Sequence, residues 1–199
     1  MEVSGKQVAD ENGKTTLEPA NSKLVLKELC LRIFLFLLSL TAVVVMVTSN
    51  QTKLVQTPYG PYPVSMTAKF SDFPAFIYFV VALSVSLSYS IITALATLWI
   101  LKKGCSSKNL LKFYLVSIAN DVVMVGVVAA ATGAAGCVGY LGINGNSKVR
   151  WTKICNMYSK NCRQIGSSII ISLAACILLV MLVVLSAYSV HRLARKALN

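Results

Sequence analysis

The sequence predicts an all-α membrane protein, a bundle of four transmembrane helices with both termini in the cytoplasm. Three observations predict this class. The 199 residues are 56% hydrophobic and only 13% charged, whereas a soluble domain carries about 25% charged residues. The apolar residues form four long blocks between charges. Most of the basic residues then fall on one side of the membrane that these blocks define.

Each apolar block accommodates one helix that crosses the bilayer. About 20 residues are needed to span roughly 30 Å of hydrocarbon, and lipid offers no partners for unpaired backbone amides, so each block must be helical. The strand alternation of a membrane barrel is absent. The first block has no small-residue cleavage site and is interpreted as a retained helix, not a signal peptide. The predicted helices are Leu29–Val47, Phe76–Leu101, Phe113–Cys137 and Ser168–Val190.

The segments outside the helices predict the orientation. Residues 1–28 are polar with almost no aromatic residues, which predicts a disordered cytoplasmic tail, and residues 191–199 form a second cytoplasmic tail. With both tails inside, the inner segments hold most of the 19 basic residues, as the positive-inside rule requires. The second outer loop is itself basic, so the charge bias alone does not establish the orientation and a second criterion is needed.

Two cysteines in the second outer loop supply that criterion. Cys155 and Cys162 lie close together in the sequence, and an oxidising exterior allows them to form a disulfide. Closing so short a loop contributes about 2–3 kcal/mol on the chain-entropy model. The alternative is two unrelated free thiols. The disulfide is favoured, because small extracellular loops commonly use such a bond.

Two charged residues fall inside predicted helices. Asp121 lies in the third helix, where a carboxylate at the helix centre costs about 2.5–3.5 kcal/mol. Arg32 lies near the cytoplasmic start of the first helix, which runs in the same direction. At 1.5 Å per residue the two depths differ by only about 6–8 Å, so Arg32 is the predicted partner of Asp121.

Three interpretations of these charges remain open. The favoured one is a structural ion pair that joins the first and third helices, and the second is an ion or proton relay. In the third, Arg32 extends to the lipid head groups, and Asp121 is protonated or bonds to Asn120, Ser117 or Tyr114.

A row of small residues marks one face of the third helix. Gly126, Ala130 and Ala134 are spaced by four, and small residues allow helix backbones to approach closely in lipid. Packing inside a single bundle is the favoured interpretation, and docking of a second chain is the functional alternative. Serine rows at the same spacing occur in the second and fourth helices.

The sequence lacks the residue sets that catalysis or cofactor binding requires. Five of the seven acidic residues lie in the N-terminal tail, and no GxSxG, HExxH or phosphate-loop motif occurs. A single histidine and no cysteine pair at zinc spacing exclude a predicted metal site. No cofactor and no catalytic residue are expected, and no basic surface interleaved with aromatic residues indicates nucleic-acid binding. Membrane lipids are the expected non-protein partners.

Three segments carry a resemblance to a known family. They are LCLRIFLFLLSLTAVVVMVTSNQT with Arg32, FYLVSIANDVVMVGVVAAATGAA with Asp121, and YLGINGNSKVRWTKICNMYSKNC with Trp151, Cys155 and Cys162. In this order, over about residues 24–195, the chain resembles a plant CASP-like protein. These proteins are relatives of the Casparian strip membrane domain proteins within the MARVEL-type four-helix group.

The resemblance implies a plasma-membrane scaffold. Such a protein associates with itself and with related CASP-like proteins, as homodimers, heterodimers or larger oligomers. It marks a membrane domain and recruits partners, including enzymes that modify the cell wall. The first outer loop departs from the ESLPFFTQF-like stretch of the proteins that build the Casparian strip, so that particular role is not implied. Trp151 is the expected contact residue of the outer loops.

A different class of function competes with the scaffold. A small ion or proton channel or transporter would use Asp121 on its path. Transporters usually have broken helices or repeated halves, and no proline interrupts a predicted helix here. The scaffold is therefore favoured.

Overall fold

Four long helices dominate the structure, a computed structural model that describes residues 19–56, 63–103, 107–149 and 151–198. They are α1 (Pro19–Val47), α2 (Pro74–Lys103), α3 (Ser107–Asn144) and α4 (Ser159–Leu198). Each is long and apolar enough to cross a membrane. The predicted fold class, an all-α bundle of four membrane-spanning helices, is confirmed.

All four helices are longer than predicted, although α1 ends at Val47 as predicted and extends only at its start. Helix α1 begins at Pro19 instead of Leu29, and α4 continues to Leu198. The prediction of disorder is therefore wrong for residues 19–28, while residues 1–18 lie outside the described part of the chain. The prediction ended each helix where apolar composition ended, but a helix continues through polar residues because its backbone bonds are internal. Proline at the first helical position, as in α1 and α2, suits a helix start.

The connection between α1 and α2 contains a β-hairpin that the sequence reading missed. Strands β1 (Gln51–Gln56) and β2 (Pro63–Ala68) pair antiparallel, with Gln51 opposite Ala68. The hydroxyls of Thr52 and Thr67, which are opposite each other, lie 3.0 Å apart. The β-branched residues of both strands and the prolines and glycine between them are typical hairpin signals.

The helices alternate in direction and form a ring. Helix α1 packs against α2 and α4, and α3 completes the ring against the same two helices. The hairpin and the loop of residues 145–149 and 151–158 lie at one end, called the loop end. Helix α1 begins, α2 meets α3, and α4 finishes at the other end, called the terminal end.

The interior of the bundle contains many small and hydroxyl-bearing residues, whereas its lateral surface is strongly apolar. Along α4 the buried positions Ser168, Ser172, Ala175 and Leu179 recur at spacings of three and four, the repeat of one helix face. Large apolar side chains cover the opposite faces. This pattern suits a lipid surrounding, in which helix association depends on close packing and interhelical hydrogen bonds.

Hydroxyl groups bond neighbouring helices to each other in this interior. Ser168 Oγ on α4 donates to the Ala42 carbonyl of α1 at 2.7 Å. The hydroxyls of Thr132 on α3 and Ser172 on α4 lie 3.1 Å apart. The predicted serine rows on α2 and α4 thus contribute buried members to the bundle, Ser86 and Ser90 among them.

Candidate functional site

A cluster of polar and charged side chains crosses the bundle in its half towards the terminal end. All four helices contribute to it, and three of them do so through a pair of residues spaced by four, which places both members on one helix face. We call it the ionic cluster. Its members are Glu28 and Arg32 of α1, Tyr89 and Thr93 of α2, Ser117 and Asp121 of α3, and Ser186 of α4.

The guanidinium of Arg32 contacts the carboxylate of Asp121 through both terminal nitrogens. Nη2 lies 3.0 Å from Oδ2 and Nη1 lies 3.3 Å from Oδ1. Both side chains are fully buried. The structure therefore brings together the two charges that the sequence placed at similar depth, in the two-pronged geometry that makes arginine–carboxylate bonds strong and directional.

A second carboxylate, Glu28, shares the same guanidinium. Its Oε1 lies 3.2 Å from Arg32 Nη2 and accepts a hydrogen bond from Ser186 Oγ of α4 at 3.0 Å. The sequence analysis assigned Glu28 to a disordered tail, and this assignment is wrong, because α1 begins at Pro19 and buries Glu28 to 3% exposure. The four-residue spacing of Glu28 and Arg32, about one helical turn, was the sequence signal that could have indicated this pair.

Three hydroxyl groups complete the cluster. Tyr89 donates to Asp121 Oδ1 at 2.7 Å. Arg32 donates to Ser117 Oγ at 2.8 Å and to Thr93 Oγ1 at 3.0 Å. Sequence reasoning missed Tyr89 and Thr93 and named Ser117 as an alternative partner of Asp121, whereas its hydroxyl bonds to Arg32. Ser117 lies four residues before Asp121, but no spacing to a charge distinguishes Tyr89 and Thr93 from the other polar residues of α2.

The arrangement favours a structural role for the buried charges. A buried ion pair is stable where hydrogen bonds satisfy its remaining donors and acceptors, and here each helix supplies some of those bonds. Removing one partner of such a pair costs about 3–5 kcal/mol because the other charge is left uncompensated. Both oxygens of Asp121 accept hydrogen bonds from groups of the bundle, so the carboxylate is not directed at an open path.

At the loop end, a tight connection leads from α3 towards Trp151. The backbones of Asn146 and Trp151 exchange two hydrogen bonds of 2.9 Å. Gly145 has a φ of 67°, and a Cβ there would lie 2.8 Å from the Trp151 carbonyl oxygen. Glycine is therefore required at this position. The Trp151 side chain is 41% exposed, which leaves it available at the surface of this end.

A disulfide fastens the same loop to α4. Cys155 and Cys162 are bonded to each other, and Cys162 lies in the first turn of α4. The Cys155 amide also donates to the Gly142 carbonyl of α3 at 3.1 Å. The loop is thus joined to both helices that it connects.

The small-residue row of α3 lies mostly on the outside of the bundle. Gly126 and Ala130 are exposed and Ala134 is half-buried. Packing inside one bundle, the favoured interpretation of the sequence, is therefore wrong for Gly126 and Ala130. Their neighbours Val128 and Ala131 face the interior instead. Spacing alone identifies a row of small residues but does not fix which way the helix is turned.

Comparisons with known proteins identify relatives of this chain. A family model described as the Casparian strip membrane protein domain matches residues 21–178. A CASP-like protein 1D1 of Populus trichocarpa is 51% identical over 175 residues, which cover 87% of each chain. CASP-like protein Ni6 of Beta vulgaris subsp. maritima is 47% identical over 174 residues, again 87% of each chain. No solved structure matches the chain.

The four apolar helices and the charge cluster between them define a multi-pass membrane protein. The chain belongs to the CASP-like family of plant membrane proteins. The resemblance inferred from the three sequence segments is thereby confirmed. Arg32 and Asp121 both lie within the matched region, as do Trp151, Cys155 and Cys162.

Proposed function

We propose that this protein is a plasma-membrane scaffold that associates with itself and with related CASP-like proteins to mark a membrane domain. It recruits partners to that domain, including enzymes that modify the cell wall, and performs no chemistry itself. Family membership supports this function. The alternative that uses Asp121 in transport has less support, because that carboxylate is bonded to Arg32 and Tyr89 inside the bundle.

The observation that carries the proposal is the exposed small-residue face of α3. A Cβ added at Gly126 or Gly133 would meet nothing within 4 Å, so a neighbouring helix has room to approach the α3 backbone. Large apolar residues cover much of the remaining lateral surface. In lipid, helices associate where small residues permit close packing, and this face suits such a contact.

Self-association is tested with a matched pair of alanine substitutions. Ala130 on α3 and Ala174 on α4 are both exposed. Ala130→Leu adds bulk to the proposed interface and shifts the equilibrium towards the monomer by about tenfold. Ala174→Leu adds the same bulk elsewhere and leaves it unchanged. The measurement is the dissociation constant from single-molecule photobleaching over a range of protein-to-lipid ratios, and equal effects would contradict this interface.

The proposed orientation puts both termini in the cytoplasm and the loop end outside the cell. The disulfide at the loop end supports it, since disulfides persist in oxidising surroundings. A membrane-impermeant amine reagent applied to intact cells should label the exposed Lys153 and spare the exposed Lys102 and Lys112. Labelling of Lys102 and Lys112 with Lys153 spared would reverse the orientation.

The scaffold and transport functions give different results in liposomes. Purified protein reconstituted at known orientation should carry no proton or cation flux above that of empty vesicles. A flux that Asp121→Asn abolishes, while the variant remains folded, would overturn the scaffold proposal in favour of transport.

A further inference from the structure

A cavity opens between three helices at the loop end. It is bounded by the start of α2, the end of α3, the start of α4 and the loop that carries Trp151, and its volume is about 340 Å³. Ligand sites typically occupy about 300–1,000 Å³ and are lined mainly by apolar groups. The walls include Phe76, Val138 and Ile165. Because the helix ends that bound the cavity belong to candidate membrane spans, a membrane lipid would have direct access to it.

Glycines make part of the cavity wall smooth. Gly136 and Gly139 of α3 and Gly166 of α4 all line the space. A Cβ added at Gly136 or Gly166 would meet nothing within 4 Å. The helix backbones are therefore bare at these positions, and a rigid, flat molecule could lie against them with more contact than a branched or highly flexible one.

One polar group in the wall lacks a partner. Asn161 is 6% exposed and lines the cavity, and its side-chain oxygen Oδ1 has no hydrogen-bond partner among the described residues. A buried acceptor without a donor costs about 1–3 kcal/mol. An ionised phosphodiester itself has no donor to offer this oxygen, and the choline head group has none either, whereas a hydroxyl group has one.

The polar and apolar parts of the cavity lie at different depths. Asn161 is in the first turn of α4, and Ile169, which also lines the cavity, lies about 12 Å further along the helix at 1.5 Å per residue. The unpaired oxygen is thus near the membrane surface, and the apolar walls continue towards the bilayer centre. A molecule with a hydroxyl at one end and an apolar body matches this order.

We propose that the cavity binds a membrane sterol, with its hydroxyl donating to Asn161 Oδ1 and its ring system against the glycine-lined helix surfaces. The bound sterol fills the gap between α2, α3 and α4 at the loop end. Two-chain lipids fit less well, since their chains are flexible and the phosphate of a phospholipid cannot satisfy the acceptor.

The proposal is tested with a photoreactive, clickable sterol added to the full-length protein in nanodiscs. Labelled peptides should fall within residues 136–143 and 161–170. Free sterol should compete with the label, whereas the sterol methyl ether, which lacks the donor, should compete about fivefold less well. Diacylglycerol and phosphatidylcholine serve as further competitors, the first with a hydroxyl and a flexible body, the second without a donor.

Two substitutions separate the cavity from the rest of the surface. Gly166→Leu places a side chain in the cavity and should reduce labelling about tenfold or more. Ala174→Leu, which adds bulk at an exposed α4 position outside the cavity and outside the α3 face, should leave labelling intact. Asn161→Leu should abolish the discrimination between sterol and methyl ether. Thermal unfolding of each variant checks that it is folded.

Several outcomes would overturn the proposal. They are equal competition by the methyl ether, stronger competition by diacylglycerol or phosphatidylcholine than by sterol, or unchanged labelling of folded Gly166→Leu. Labelling spread evenly over the lateral surface would also overturn it, because it would indicate general contact with the bilayer. Each result is independent of whether the protein self-associates through α3.

Discussion

The two halves of the bundle are held together by different means. Towards the terminal end, seven side chains from all four helices form the ionic cluster around Arg32. At the loop end, a disulfide and backbone bonds fasten the connecting loop, and a cavity of about 340 Å³ separates α2 from α3 and α4. One half is closed by directional polar bonds, whereas the other leaves room for a lipid.

The difference indicates how a membrane bundle obtains a single arrangement. Apolar side chains gain little from leaving lipid for a protein interior, so burial of Leu or Val does not by itself select one helix rotation. A guanidinium bonded to α1, α2 and α3 at once does select a rotation, because each bond requires a particular helix face. The loop end can then tolerate a gap, since its helices are joined by the chain and by a covalent bond.

The largest expected effect is on the ionic cluster. Arg32→Leu leaves the carboxylates of Glu28 and Asp121 buried without their cation. The free energy of unfolding in detergent micelles, measured by titration with a denaturing detergent, should fall by about 3–5 kcal/mol. Arg163→Leu is the control, because Arg163 is exposed at the loop end. Equal losses in the two variants would show that the ionic cluster contributes no more to the free energy of unfolding than an exposed charge does.

Removing the disulfide is expected to reduce stability by less, and only at the loop end. Cys155→Ser with Cys162→Ser opens a bond between residues separated by 7 positions, and the loss should be about 2 kcal/mol on the chain-entropy model. Hydrogen exchange should increase in the loop of residues 151–162 and remain slow around Arg32 and Asp121. Increased exchange at the ionic cluster would contradict the independence of the two halves.

The turn that ends α3 should also be sensitive. Gly145→Ala places a Cβ where φ is 67° and 2.8 Å from the Trp151 carbonyl oxygen. We expect a loss of about 1–3 kcal/mol, because the backbone must move or remain strained. Gly126→Ala, at a helical position with open space around it, is the control and should be neutral or slightly stabilising. A neutral Gly145→Ala would show that this turn is not as tight as described.

The smallest effect concerns a single hydroxyl between helices. Ser168→Ala removes the bond to the Ala42 carbonyl, and bonds of this kind contribute about 0.6 kcal/mol on average in membrane proteins. The neighbouring Ser167 is exposed and bonds within its own helix, so Ser167→Ala should change stability less. A larger loss at Ser167 would mean that the assigned helix faces are incorrect.

The spans and the central charges could be predicted from the sequence for simple physical reasons. Long gaps between charges reveal helices because lipid excludes charge. Arg32 and Asp121 are conspicuous because charged residues inside such gaps are costly. The surrounding hydroxyl groups carried no such signal, since serine, threonine and tyrosine are common in these helices.

Other features could not be predicted because they depend on helix rotation and on polar helix ends. The small-residue row at Gly126 and Ala130 has the same spacing in the sequence whether it faces the interior of the bundle or its surface. Glu28 was assigned to a tail because the helical turns after Pro19 have polar composition. Asn161 became notable only when the packing of α4 against the loop left its oxygen without a partner among the residues that the structure describes.

A double-mutant cycle on Arg32 and Asp121 tests most directly whether the buried charges hold the helices together. The free energy of unfolding is measured for Arg32→Leu, Asp121→Leu and the double variant. A structural pair predicts a double variant that loses less than the sum of the single losses, by about 2 kcal/mol or more. Additive losses, equal within about 0.5 kcal/mol, would mean that the two charges do not stabilise each other and would contradict the account.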